Sequence, residues 1–190
     1  MLAVSPGRAT EPAAAEAFIA DLGQETVEVL SRPGLTYRQA VDEVRVIFNR
    51  SFDIPTIGRF VLGRHWRNAT PAQQQEYLRL FEDMIVETYA RRFYDYSGET
   101  LRVQGSRPEG DNDVLVQSQI VRPSGAPPVA VVWRVRERDG EHRIIDVVIE
   151  GVSMDVTQRD EFSAVIQRNG GNFDALLSSM TETIEQARRG

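Results

Sequence analysis

A chain of 190 residues, 41% hydrophobic and 26% charged, has the size and composition of one folded domain that can bury a core without disulfides or metals. It contains no cysteine, which excludes disulfides, thiol catalysis and thiolate metal sites; all 22 basic residues are arginine, which excludes lysine Schiff-base chemistry and a P-loop. The net charge of −6 argues against general nucleic-acid binding, and no apolar run reaches the roughly 18 to 20 residues that a membrane-spanning helix needs.

Residues 1–11 are small, polar and Pro-containing, and are expected to be a flexible N-terminal segment. They contain no basic segment followed by an apolar one, so no secretory leader is visible in this chain. The first predicted helix covers about residues 12 to 31, with Phe18, Ile19, Leu22, Val29 and Leu30 on one stripe and Pro33-Gly34 ending it. A second starts at Thr36, where Gln39 completes a capping box, and runs through Val41, Val44 and Phe48. A short apolar turn of helix, Ile57 to Leu62, is closed by Gly63. Thr70-Pro71-Ala72-Gln73 is the strongest local signal, with a capping Thr, Pro at the first helical position and Gln closing the box. It opens a long helix in which Tyr77, Phe81, Met84, Ile85, Thr88 and Tyr89 recur at helical spacing.

From Thr100 the period changes to two, and four strands are predicted around Leu101, from Val114 to Val121, from Val129 to Val135 and from Ile144 to Ile149. Their separators, including Asp139-Gly140, suit hairpin turns and imply an antiparallel meander. Helical patterning returns at Thr157, stops at Gly170-Gly171 and resumes with Leu176, Leu177, Met180 and Ile184. Helices, then a meander, then helices predict an α+β fold in one domain, with a curved sheet covered by the long helix and able to enclose a cavity.

Catalytic chemistry finds little support. His65 and His142 carry no metal-ligand spacing, and Glu150-Gly151-Val152-Ser153 has one of the two glycines of a nucleophile elbow. No catalytic residue and no metal site is assigned. Asp146 stands inside the apolar strand Ile144 to Ile149 and, if buried, demands a partner. It either accepts hydrogen bonds or pairs with an arginine such as Arg59 or Arg159, or else serves as a general base in a steroid-isomerase-like pocket.

Three stretches carry a family resemblance: Phe52-Asp53 with Arg59-Phe60-Val61-Leu62-Gly63-Arg64-His65-Trp66; Thr70 to Gln73 through Phe81 to Thr88-Tyr89-Ala90; and Asp146 to Ser153 followed by Arg159 and Phe162. Together, over about residues 18 to 186, they resemble the MlaC family, the soluble periplasmic component of bacterial phospholipid transport. His142, Ile145 and Gln158 stand where the family usually has aromatic residues. The resemblance implies an NTF2-like curved antiparallel sheet packed against the long helix, with additional N- and C-terminal helices enclosing an apolar lipid cavity. It implies a non-enzymatic carrier in the periplasm with phospholipid as cargo and no other cofactor, helping to maintain outer-membrane lipid asymmetry. The implied partners are an inner-membrane ABC transporter with its MCE-domain protein and an outer-membrane lipoprotein-porin complex.

Each buried methylene is worth about 0.8 kcal/mol, so acyl chains cross water only if a protein cavity replaces the bilayer around them. The expected lining is Phe60, Val61, Trp66, Phe81, Met84, Ile85, Trp133, Val135, Ile149 and Val152, with Arg59 and Arg64 near the mouth. Two other readings are an NTF2-like enzyme or binding protein for a small hydrophobic ligand, and a protein-interaction adapter with a filled core.

Overall fold

The structure is a computed structural model that describes residues 11–189. The segment expected to be flexible, 1–11, lies outside the described residues apart from Glu11. The helices start where the sequence supplies caps. α1 (Pro12–Leu30) opens on a proline, and α2 (Tyr37–Ser51) on the Thr36 box: the Thr36 amide donates to Gln39 Oε1 at 2.9 Å and the Gln39 amide to Thr36 Oγ1 at 3.3 Å. α3 (Ile54–Leu62) begins three residues earlier than its apolar pattern suggests, because Asp53 caps it by accepting from the Thr56 amide at 3.1 Å and Pro55 is tolerated in a first turn. A 3-10 segment, Gly63–Asn68, leads into α4 (Pro71–Tyr94), whose Thr70 and Gln73 exchange cap bonds of 3.0 and 3.2 Å.

Five strands follow: β1 (Thr100–Glu109), β2 (Asp113–Val121), β3 (Val129–Arg138), β4 (Glu141–Ile149) and the short β5 (Val152–Ser153). They pair antiparallel in chain order. α5 (Met154–Arg168) and α6 (Phe173–Arg189) complete the chain. The β3–β4 and β4–β5 turns place Asp139-Gly140 and Glu150-Gly151 at positive φ, the two-residue geometry whose twist matches that of the strands it joins. Glu150, an unusual residue for that position, is strapped to β3: its carboxylate accepts from the Ala130 amide, and its own amide donates to the Ala130 carbonyl at 3.0 Å.

The core forms two clusters. One is helical, built by α2 to α6 around Tyr77, Phe81, Phe162, Leu176 and Met180; the other seats α1, through Ala15, Ile19 and Leu22, on Val114, Val116, Val135 and Ile144 of the sheet. α4 packs mainly against α2 and α6, and α1 against β1 and β2. Arg188 of α6 donates to the buried Glu87 of α4 at 2.7 Å and Tyr37 donates to it at 3.2 Å, so the last helix is tied to the long one.

The sheet carries its own buried charge. Asp113, at the start of β2, is 5% exposed and receives Arg134 Nε at 2.7 Å and Arg136 Nε at 2.6 Å. Burial acts to raise its pKa, but the two guanidinium groups outweigh burial and hold it below the usual carboxylate range. Asp113→Ala is expected to cost about 1 to 3 kcal/mol in a urea melt at pH 7, because both arginines lose their acceptor but keep access to water. Since the folded pKa is depressed, the ionic part of that difference should vanish as pH falls through it; a variant as stable as the wild type at pH 7 would remove this account.

Candidate functional site

Between the two core clusters lies a cavity of about 480 Å³. Its helical wall includes Phe48, Ile57, Val61, Phe81, Ile85 and Tyr89, and its sheet wall Leu101, Val131, Trp133, Val147 and Ile149. α1 closes one side with Leu22, Gly23 and Val27. Gly23 permits that approach, because a Cβ there would lie 2.8 Å from the Leu101 side chain. On α4 the wall is a stripe at helical spacing, Phe81, Ile85, Tyr89 and Arg92. Trp133 presents its ring to the cavity while its indole N–H donates to Ser118 Oγ at 2.8 Å, and Ser118 in turn donates to the Val131 carbonyl at 3.1 Å. The volume falls in the range of small-molecule sites, about 300 to 1,000 Å³.

The cavity opens at one end. Its exposed lining residues are Arg92, Asp95, Thr100 and Arg122, which come from the end of α4, the turn after it, the start of β1 and the residue after β2. Pairing of Thr100 with Val121 brings the last two together.

A second polar group sits in the wall near the start of α5. Asp146 accepts from Ser153 Oγ at 3.0 and 2.9 Å and from the Asp155 amide at 3.4 Å. Asp155 itself is 8% exposed, and burial first, then the neighbouring Asp146 carboxylate, pushes its pKa up to about 8. Asp155 is therefore mainly protonated at neutral pH. Among the described residues no three His, Cys, Asp or Glu side chains gather as metal ligands, and no helix is long and apolar enough to cross a membrane.

The sequence model of the MlaC protein family matches residues 20–182. This chain belongs to the MlaC family. It is 24% identical over 132 residues to the intermembrane phospholipid transport system binding protein MlaC of Haemophilus influenzae, a match covering 68% of this chain and 61% of that protein's own length. It is 21% identical over 173 residues to the toluene tolerance protein ttg2D of Pseudomonas putida, covering 90% of this chain and 78% of the relative. Among solved structures it shares its fold, with a TM-score of 0.82 and 24% identity, with the phospholipid-binding protein of Ralstonia solanacearum in complex with a phospholipid, covering 92% of this chain and 98% of that one.

In this MlaC-family chain, five of the residues expected in the lining stand in the cavity wall: Val61, Phe81, Ile85, Trp133 and Ile149. The other five stand elsewhere, each for a local reason. Phe60 is 46% exposed, because α3 turns Ile57, Val61 and Leu62 inward and leaves the residue between them outside, under the Arg159 guanidinium at 5.5 Å. Trp66 covers the far side of the helical cluster, edge-on to Tyr77, with the Arg59 guanidinium 4.9 Å above it. Met84 lies one position round α4 from Ile85 and packs in the helical cluster. Val135 is fully buried in the cluster beneath α1, beyond the cavity floor, and Val152 in β5 is 53% exposed.

The expected arginine partners of Asp146 are also corrected. Arg59 and Arg159 stack on aromatic rings, and Asp146 is held by Ser153 and a backbone amide, both supplied by the start of α5. Arg159 also lies within 3.2 Å of where a Cβ on Gly63 would fall, which keeps that turn free of a side chain. Arg59 and Arg64 are not at the mouth; Arg92 and Arg122 are. The α4 stripe, continued one turn past Tyr89, is the sequence signal that leads to Arg92.

Proposed function

We propose that this chain is a phospholipid carrier, working as one lipid-binding domain in the periplasm between an inner-membrane ABC transporter with its MCE-domain protein and an outer-membrane lipoprotein-porin complex. The observation that carries the reading is the apolar cavity between the two core clusters, with its exposed lining residues at the rim formed by the end of α4, the start of β1 and the end of β2. A tightly packed domain would have joined its two clusters; this one leaves between them a space lined by aliphatic and aromatic side chains. Acyl chains fit such a wall by burial alone, with no nucleophile or redox group needed. Family membership supports the reading, as do the names of the Haemophilus relative and of the Ralstonia protein with its bound phospholipid.

An enzymatic reading would rest on Asp146 as a general base. That carboxylate is occupied as an acceptor by Ser153 and the Asp155 amide, which suits a structural role better. Solvent extraction of the purified protein followed by mass spectrometry is expected to return phospholipid at near one molecule per chain; an extract without lipid would overturn the carrier reading. Cross-linking in cell envelopes is expected to capture both membrane complexes, and capture of neither would count against the shuttle.

A further inference from the structure

We propose that the cavity rim is a seat for a phosphodiester, received by the guanidinium groups of Arg92 and Arg122. The inference rests on the carrier reading and adds to it where the head group lies and what holds it. The rim is the exposed end of the cavity, and both arginines belong to its lining. Among the described residues neither forms an ion pair: Arg92 lies over the Tyr89 ring at 5.6 Å, and Arg122 acts on the Glu99 carboxylate only at longer range. Arginines such as Arg45, Arg134, Arg136 and Arg143 meet carboxylates, and of those without an ion pair among the described residues Arg92 and Arg122 are the two that line the cavity. A guanidinium left without a carboxylate at the edge of an apolar cavity matches a phosphodiester anion attached to apolar chains.

The position of the seat follows from two local features. Tyr89 and Arg92 share one face of α4, so the aromatic ring in the wall supports the guanidinium at the rim. Opposite, the turn after α4 is pressed on the end of β2, where a Cβ on Gly98 would lie 3.2 Å from Pro123, so Arg122 is carried to the same edge. The other polar part of the wall cannot serve an anion: Asp146 and Asp155 meet there, and a phosphate would be repelled.

The rim also carries Asp95 and Glu99, the latter held by the Ser97 amide at 2.9 Å and hydroxyl at 3.0 Å. Two cations with two carboxylates give free phosphate little net attraction. A phosphodiester already held in place by its acyl chains has a high local concentration at the arginines and can still engage them. The seat is thus a lipid head-group site rather than a site for inorganic phosphate.

The test equilibrates lipid-free full-length chain with vesicles of phosphatidylethanolamine, phosphatidylglycerol and diacylglycerol of one acyl composition, then identifies the bound lipid by mass spectrometry. The wild type is expected to favour the phosphodiester lipids over diacylglycerol, and Arg92→Gln with Arg122→Gln to lower that ratio about tenfold, the equivalent of one modest charge-assisted contact. Arg38→Gln with Arg67→Gln, the same charge change at exposed positions away from the cavity, should leave the ratio unchanged, and the paired Lys variant of Arg92 and Arg122 should keep most of it. An unchanged ratio in the Gln pair, or an equal fall in the control pair, would overturn the seat. So would saturable binding of inorganic phosphate to the lipid-free wild type that the Gln pair abolishes. A wild type that takes up diacylglycerol and phospholipids alike would also overturn it while leaving a lipid carrier in place; one that takes up no lipid at all would remove the carrier reading, and the seat with it.

Discussion

Ile149→Trp is expected to empty the cavity of lipid while the fold holds. Ile149 lies on β4 opposite Val131, is half-buried, and forms part of the sheet wall of a cavity of about 480 Å³. An indole there has open volume to enter, whereas in a close-packed interior it would force neighbours off their rotamers. Displacing even three methylenes of an acyl chain forfeits about 2.4 kcal/mol, so lipid affinity should fall by well over tenfold. Val135→Trp is the matched contrast. That side chain is fully buried under α1, away from the cavity, and the larger ring should cost about 1 to 3 kcal/mol or more. Melting must be compared on lipid-free protein, because bound lipid stabilises the wild type by mass action. Full lipid load in a folded Ile149→Trp, or its unfolding, would show that Ile149 does not border usable space.

Local signals in the sequence locate the elements; they do not locate the cavity. The capping boxes at Thr36 and Thr70 and the Asp139-Gly140 turn depend on neighbours within three residues, and all three are found as expected. β5 escapes a reading by pattern because two residues cannot display a period, and because Glu150 takes its turn conformation through a bond to Ala130, twenty positions away. Periodicity says which side chains share a face but not what that face meets. Val131, Trp133 and Val135 alternate on one side of β3, yet the first two border the cavity and the third lies under α1. Arg92 and Arg122 are thirty residues apart, and only the pairing of β1 with β2 brings them to one rim. Asp146 is legible as a carboxylate needing partners; that they are Ser153 and a backbone amide depends on how α5 begins.

The residue no sequence signal marks is Asp155, and it sets the pH dependence. Its carboxyl lies in the first turn of α5, where the helix dipole favours the anion, but burial and the adjacent Asp146 oppose ionisation more strongly and bring the pKa to about 8. Tyr77 and Tyr89 of α4 feel its carboxylate and have their own pKa values raised, burial first, while Arg92 acts the other way on Tyr89. The folded pKa lies above the unfolded one. The folded state therefore binds the proton more tightly, and the contribution of Asp155 to stability is fullest below about pH 4 and falls as pH rises toward 8. His65 works the other way: burial, then Arg64, lowers its pKa, so it adds stability as pH rises to about 6.5 and nothing above. Between about pH 6.5 and 8 the loss of the Asp155 contribution is therefore not offset by His65. Asp155→Asn keeps the shape and removes the titration, so urea denaturation at pH 5, 7 and 9 should find the variant gaining on the wild type at each step. The total gain should reach up to several kcal/mol, since each tenfold difference in proton affinity between the folded and unfolded chain is worth about 1.4 kcal/mol. Parallel pH profiles for the two proteins across that window would mean that Asp155 ionises freely in the folded protein.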